Sequence, residues 1–186
     1  MHGKLQVDVN ALRENARRLR ELVAPSAIGF AVKANAYGHG IEETALAIEP
    51  QAARLCVYAA DEAVALRDCG IHQPILVMGP IPPHDLEKAA AAKAAIALWD
   101  TKSYVRDVAA VARRRSARMP VHVKINSGLN RLGLAPQDAA DAIEDYLRIS
   151  DIEIAGVFSH LASAEELDSP FTLTQLATFE RALAPV

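Results

Sequence analysis

The stretch Ala27-Ile28-Gly29-Phe30-Ala31-Val32-Lys33-Ala34-Asn35-Ala36-Tyr37-Gly38-His39-Gly40 decides how the chain is read. Its first six residues form an apolar run of strand length, and a glycine-rich turn follows. Lys33 therefore stands at the carboxyl end of a predicted β-strand. Side chains alternate along a strand, so Ala27, Gly29, Ala31 and Lys33 share one face and Ile28, Phe30 and Val32 the other. The bulky face should pack on helices. The small face, ending in Lys33, should then point into a barrel. A buried lysine is costly unless it has a partner. One pushed toward neutrality is a nucleophile able to form a Schiff base.

Short apolar runs and helical periods alternate through the rest of the chain. Strand-like runs fall at Ala27–Ala34, Leu55–Ala59, Ile75–Met78, Ala94–Trp99, Val121–Asn126 and Ile154–Ser159, and Leu5 to Val9 reads as one more short strand. Val9, Leu12, Ala16, Leu19 and Val23 mark one face of a helix capped near Asp8 or Asn10. Further helices are predicted over Glu42–Ile48, Asp61–Asp68, Asp85–Ala92, Lys102–Arg115, Gln137–Leu147 and Thr172–Leu183. Pro74, Gly79-Pro80, Pro82-Pro83, Pro120 and Gly133 punctuate the turns. Strands alternating with helices imply βα units and a parallel sheet. About six units are present, where a closed (β/α)8 barrel has eight and about 250 residues. The pattern fits either an open doubly wound sheet or part of a barrel.

Bulk properties narrow the function classes. The chain has 186 residues, 51% of them hydrophobic, which suits a domain with a proper core. No apolar stretch approaches the roughly 20 residues of a membrane span. The start, Met1-His2-Gly3-Lys4-Leu5, lacks the apolar core of a signal peptide, so a cytoplasmic protein is expected. Two cysteines, Cys56 and Cys69, form no framework pattern. A net charge of -3 gives no push toward nucleic acid. Arg113-Arg114-Arg115 reads as a solvated helix end, where cations favour the helix dipole. No spacing among histidines and cysteines suggests a metal site.

Polar residues recur at strand ends. In Val121-His122-Val123-Lys124-Ile125-Asn126 the residues His122, Lys124 and Asn126 share one face. A polar stripe inside a barrel is not ordinary core filling and suggests a ligand site. The last strand ends Phe158-Ser159-His160. Barrel enzymes draw their functional groups from the carboxyl ends of several strands. Lys33, Lys124, His160 and nearby Arg131 are thus expected to converge. Cations gathered at one face ask for an anionic ligand. His39, between two glycines, reads as structural or exposed.

Three segments carry a family resemblance. Ala31-Val32-Lys33-Ala34-Asn35-Ala36-Tyr37-Gly38-His39-Gly40 closely resembles the cofactor-lysine motif of the alanine racemase family. Lys124-Ile125-Asn126-Ser127-Gly128-Leu129-Asn130-Arg131-Leu132-Gly133 is similar to the family's K-x-[DN]-[ST]-G-M-x-R-x-G block. Phe158-Ser159-His160-Leu161-Ala162-Ser163-Ala164 resembles its T-H-F-A-x-A-D block. The resemblance implies a (β/α)8 TIM-barrel-type domain over residues 1–186, with the rest of the barrel and a C-terminal β-domain absent. It implies pyridoxal 5′-phosphate (PLP) as cofactor, alanine as substrate, and a homodimer for the intact protein. D-Alanine for peptidoglycan precursors is the implied product.

It also implies individual roles. Lys33 would carry the cofactor as a Schiff base and act as a catalytic base. Tyr37 would touch the cofactor phosphate, and His160 would lie beside its ring. Arg131 would contact the cofactor's phenolic oxygen and the substrate carboxylate. Lys124 stands where many members carry a carbamylated lysine that holds this arginine. Asn126 replaces a common Asp, Leu129 a usual Met and Glu165 a usual Asp. The second base, a tyrosine of the partner subunit's C-terminal domain, has no counterpart here, nor has the arginine facing the pyridine nitrogen. These residues alone are therefore expected to be inactive or nearly so. A PLP-homeostasis protein lacks the Asn-Ala-Tyr-Gly-His-Gly continuation, while a racemase for serine or lysine is an alternative that the sequence leaves open.

Overall fold

The computed structural model of the chain describes residues 5–100, 103–166 and 168–186. It is an α/β protein in which each strand leads into helix and neighbouring strands run parallel. Two compact units divide it at Ala94 and Ala95.

The first unit opens with helix α1 (Val9–Leu22), whose N–H groups at Asn10 and Ala11 are accepted by the Asp8 carboxylate at 2.9 and 3.1 Å. That cap corrects the expected strand over Leu5–Val9. Leu5 to Asp8 have no regular structure and Val9 already belongs to the helix. A carboxylate that satisfies orphan amides at a helix start favours this outcome. On the expected apolar face Ala16 is buried, whereas Leu19 and Val23 remain exposed. Strand β1 (Gly29–Ala31) pairs with β2 (Arg54–Val57), and β2 with β3 (Ile75–Val77). Helices α2 (Ile41–Ile48), α3 (Ala60–Asp68) and α4 (Leu86–Ala91) follow the three strands. Leu55, Val57, Val77, Leu66 and Leu86 are fully buried. Burying each such side chain stabilises by about 1.5–3 kcal/mol. At the far end of α3, the Arg67 guanidinium donates to the carbonyls of Ala92, Ile71 and Gln73 at 2.7–2.8 Å.

The second unit alternates β4 (Ala95–Leu98), α5 (Tyr104–Arg114), β5 (Met119–Lys124), α6 (Ala139–Leu147), β6 (Ile152–Phe158) and α7 (Pro170–Leu183). The expected start of α5 at Lys102 lies outside the described residues. β5 pairs with β4 on one side and β6 on the other. Ile96, Leu98, Val108, Val121, Val123 and Ile125 are completely buried, and Ile143 and Tyr146 nearly so. Ala139 of α6 and Ala182 of α7 close over Ile125. The arginines ending α5 are exposed, and Arg113 pairs with Asp151 at 2.7 Å.

The strand parity of β1 is as the sequence predicts. Gly29 and Ala31 are exposed, Phe30 is half-buried and Val32 is buried. Cys56 lies opposite Ala31 in register. The strand is shorter than expected, because the chain leaves it before Lys33.

Candidate active site

Lys33 opens a helical turn, Lys33–Tyr37, that winds with left-handed angles. Ala34, Asn35, Ala36 and Tyr37 have φ of 53°, 55°, 52° and 55°. For L-residues this conformation costs about 1–2 kcal/mol each, so a run of them persists only when its surroundings hold it. The turn is tied within itself. Asn35 O accepts the N–H groups of Gly38 and Gly40, both at 3.0 Å, and Asn35 Oδ1 accepts that of Ile41 at 2.8 Å. Gly38 and Gly40 supply φ of 90° and 92°, and a Cβ on Gly40 would lie 2.8 Å from Glu43 Oε2. His39 is exposed, with Nδ1 2.9 Å from Ala36 O.

The turn is also tied from outside. Glu62, half-buried at the start of α3, accepts the Ala34 N–H on Oε1 at 2.6 Å. Its Oε2 accepts the N–H groups of Tyr58 and Ala59 at 2.7 and 3.1 Å. Lys33 itself is half-buried, and its Nζ lies 6.0 Å from the centre of the Tyr37 ring. Tyr37 is exposed and reaches solvent. The first unit thus presents a lysine and an aromatic hydroxyl together, on a rigid turn at the carboxyl end of β1.

In the second unit, His122 and Lys124 are buried on β5, at 6% and 5% exposure. This is the polar stripe the sequence predicts. The Lys124 ammonium sits 5.7 Å from the Phe158 ring centre, in cation–π range. His122 meets the same ring edge-on at 6.4 Å. Gly156, its partner in register, makes room for the imidazole, since a Cβ there would lie 2.8 Å from His122 Cε1 and Nδ1.

The strand ends at Lys124, and Asn126 begins a loop instead of continuing the stripe. Asn126 Oδ1 accepts the N–H groups of Gly128 and Asn130 at 3.2 and 2.9 Å, and Nδ2 donates to Asn130 Oδ1 at 3.0 Å. A carboxylate at this position could accept but not donate. The amide in place of Asp therefore lets the loop fold on itself without a charge. Arg131 is exposed on the loop. Gly133 closes it with φ of 130°, where a Cβ would lie 2.7 Å from Asn126 N. His160 is exposed just beyond β6.

Gln175 of α7, wholly buried, joins the Arg131 and His160 loops. Its Oε1 accepts the Ala162 N–H at 2.8 Å, and Nε2 donates to His160 O at 3.3 Å and to Ser127 Oγ at 3.4 Å. Ser159 donates to Ile125 O at 2.8 Å, so Ser127 donates to Ser159 across their 2.7 Å separation. This chain of donors links the carboxyl ends of β5 and β6. Glu62, Gln175, Ser127 and Ser159 were not among the residues the sequence singled out. Glu62 reads as an ordinary acidic residue in a helix first turn, and Gln175 as one polar residue in a helix.

Titration directions are consistent with burial. Desolvation pushes the Cys56 thiol up, as it does that of Cys69, and both cysteines are unpaired thiols. Among the described residues no cluster of His, Cys, Asp and Glu could hold a metal ion, and no helix is long and apolar enough to cross a membrane.

The chain is similar in sequence and fold to known proteins. An alanine racemase of Symbiobacterium thermophilum is 37% identical over 180 residues, 96% of this chain and 48% of that protein. One of Methanococcus maripaludis is 30% identical over 177 residues, 94% of this chain and 47% of its own length. The chain spans about half the length of the curated relatives it matches. Among solved structures, an alanine racemase of Clostridium difficile 630 matches with a TM-score of 0.91 at 27% identity, over 98% of this chain and 50% of that one. One from a D-cycloserine-producing Streptomyces lavendulae matches with a TM-score of 0.90 at 31% identity, over 96% of this chain and 48% of its own. These matches bear out the TIM-barrel-type fold with about six βα units. Residues 7–186 match the family model described as alanine racemase, N-terminal domain, and the chain belongs to that family.

Proposed function

We propose that this chain is the partial PLP-binding barrel domain of a cytoplasmic, homodimeric alanine racemase that interconverts L- and D-alanine for peptidoglycan precursors. One observation carries the reading: a lysine presented at the carboxyl end of β1 on a left-handed turn, within a sequence that matches the family over nearly its whole length.

The residues present fit PLP. The donor set is a half-buried lysine for covalent attachment, a neighbouring exposed tyrosine, and an exposed arginine and histidine for an anionic aromatic ligand. When bound, that cofactor supplies an electron sink for the carbon next to the substrate carboxylate. Lys33 would hold the cofactor through Nζ, and the same nitrogen, when free, would take the α-proton from one face of the substrate. Tyr37 would hold the phosphate. His160 would stand beside the ring, and Arg131 would orient the substrate carboxylate through its planar fork of donors. Lys124, buried on β5, suits carbamylation, which would turn a buried cation into an anion able to hold Arg131. The proton returned to the opposite face comes from a tyrosine outside these residues, on the partner subunit.

The test is racemisation by the complete gene product. L-Alanine should be converted to D-alanine by the wild type and not by Lys33→Ala. Equal rates for serine or lysine would point to another substrate. Binding of PLP without any racemisation would point to a homeostasis role. Residues 1–186 alone should not exceed the rate of free PLP.

A further inference from the structure

We infer that Glu62 is a positioning residue for Lys33: its carboxylate fixes the left-handed turn that presents the lysine. This rests on the reading of Lys33 as the cofactor lysine. The hydrogen bonds of Asn35 join the turn to the residues that directly follow it, Gly38, Gly40 and Ile41 at the start of α2. They hold its carboxyl-terminal side. Glu62 is different because its two oxygens act on two separate parts of the first unit. Oε1 takes the N–H of Ala34, at 2.6 Å, and so fixes the peptide that joins Ala34 to Lys33. Oε2 takes the N–H groups of Tyr58 and Ala59, between β2 and α3. Hydrogen bonds to an ionised acceptor are short and strong. One carboxylate thereby clamps the lysine turn to the loop beyond the neighbouring strand.

The clamp sits where strain needs an external hold. Ala34 is the first of five consecutive residues with positive φ, four of them not glycine. Without the carboxylate, its amide loses its partner at the first left-handed residue of the turn. The turn can then relax, and Nζ is displaced with it. A shift of about 1 Å at a reacting group can cost on the order of 100-fold in rate. Glu62 has no need to touch cofactor or substrate to have this effect.

The experiment compares the complete gene product with Glu62→Ala, Glu62→Gln and Arg67→Met. Arg67 anchors the opposite end of α3, so Arg67→Met destabilises the same unit without touching the turn. Each protein is assayed well below its own melting temperature for kcat and KM with alanine. The rate at which PLP forms its coloured adduct is followed by absorbance, and the attached residue is mapped after borohydride reduction.

We expect Glu62→Ala to lower kcat about tenfold or more, slow adduct formation at Lys33 and leave KM within about threefold. Glu62→Gln, which keeps one acceptor oxygen, should recover part of the loss. Arg67→Met should lower the melting temperature and keep kcat. If Glu62→Ala does not fold, Glu62→Gln against Arg67→Met decides. Wild-type kcat and adduct rate in the Glu62 variants, or losses that only track those of Arg67→Met, would overturn the inference and leave the role of Lys33 intact. No adduct at Lys33 in the wild type would overturn both.

Discussion

Gln175 Oε1 accepts the N–H of Ala162 at 2.8 Å, and this fully buried amide is the joint between the loops after β5 and β6. Replacing it with Leu leaves the Ala162 N–H, the His160 carbonyl and the Ser127 hydroxyl without that partner. Gln175→Leu should destabilise the protein by about 1–3 kcal/mol. It should also lower kcat/KM for alanine, because Arg131 and His160 stand on the loops it joins. Urea denaturation and steady-state kinetics check both. Unchanged stability would show that the amide is not the joint.

Two glycines in the second unit serve different needs. At Gly133, φ of 130° and the backbone of Asn126 leave no room for a side chain. At Gly156 the buried imidazole of His122 occupies the space. Gly133→Ala should cost about 1–3 kcal/mol through backbone strain and weaken alanine binding by moving Arg131. Gly156→Ala should cost about 1–3 kcal/mol through overpacking. In that variant the His122 ring resonances should shift in NMR spectra. A Gly156→Ala protein with wild-type stability and spectrum would contradict the packing described.

Alkaline stability depends on Tyr146. Burial, then the charges of Asp100 and Asp145, push its hydroxyl up to about 12, while it donates to Asp100 O at 2.6 Å. The folded form therefore favours the neutral phenol. Its contribution is complete below about pH 10, the unfolded value, and is lost as pH rises from there toward 12. A shift of that size corresponds to about 3 kcal/mol. Tyr146→Phe should lower stability at neutral pH by about 1 kcal/mol and flatten the alkaline limb of the stability curve. An unchanged limb would contradict this origin.

Lys124 offers a direct chemical test. With isotopically labelled bicarbonate, carbon NMR should show a carbamate signal that disappears in Lys124→Arg. Acidification should abolish it, since a protonated amine cannot hold the carbamate. A signal that persists in Lys124→Arg would remove Lys124 from the role.

The strands were legible because buried parallel strands read as near-continuous apolar runs. Ile75–Met78 and Ala94–Trp99 show this, each matching a strand to within one residue. Their ends were less legible. Leu5–Val9 alternates like a strand, yet the Asp8 carboxylate decides for a helix start. The left-handed turn after Lys33 was hidden, because Ala34, Asn35, Ala36 and Tyr37 carry no demand for positive φ. Only the glycines at 38 and 40 hint at it. Lys33, Tyr37, Lys124, Arg131 and His160 could be proposed from motifs at strand ends. Glu62 and Gln175 could not, because their partners at Ala34 and Ser127 lie 28 and 48 residues away in sequence. Only the fold brings those donors and acceptors together.

The central claim is that Lys33 is the residue that binds PLP. The most direct measurement is borohydride reduction of the complete gene product with PLP, followed by peptide mass spectrometry. The account predicts one stable pyridoxyl adduct, on Lys33, that is lost in Lys33→Ala. An adduct confined to another lysine, or labelling scattered over the surface lysines with none on Lys33, would contradict it.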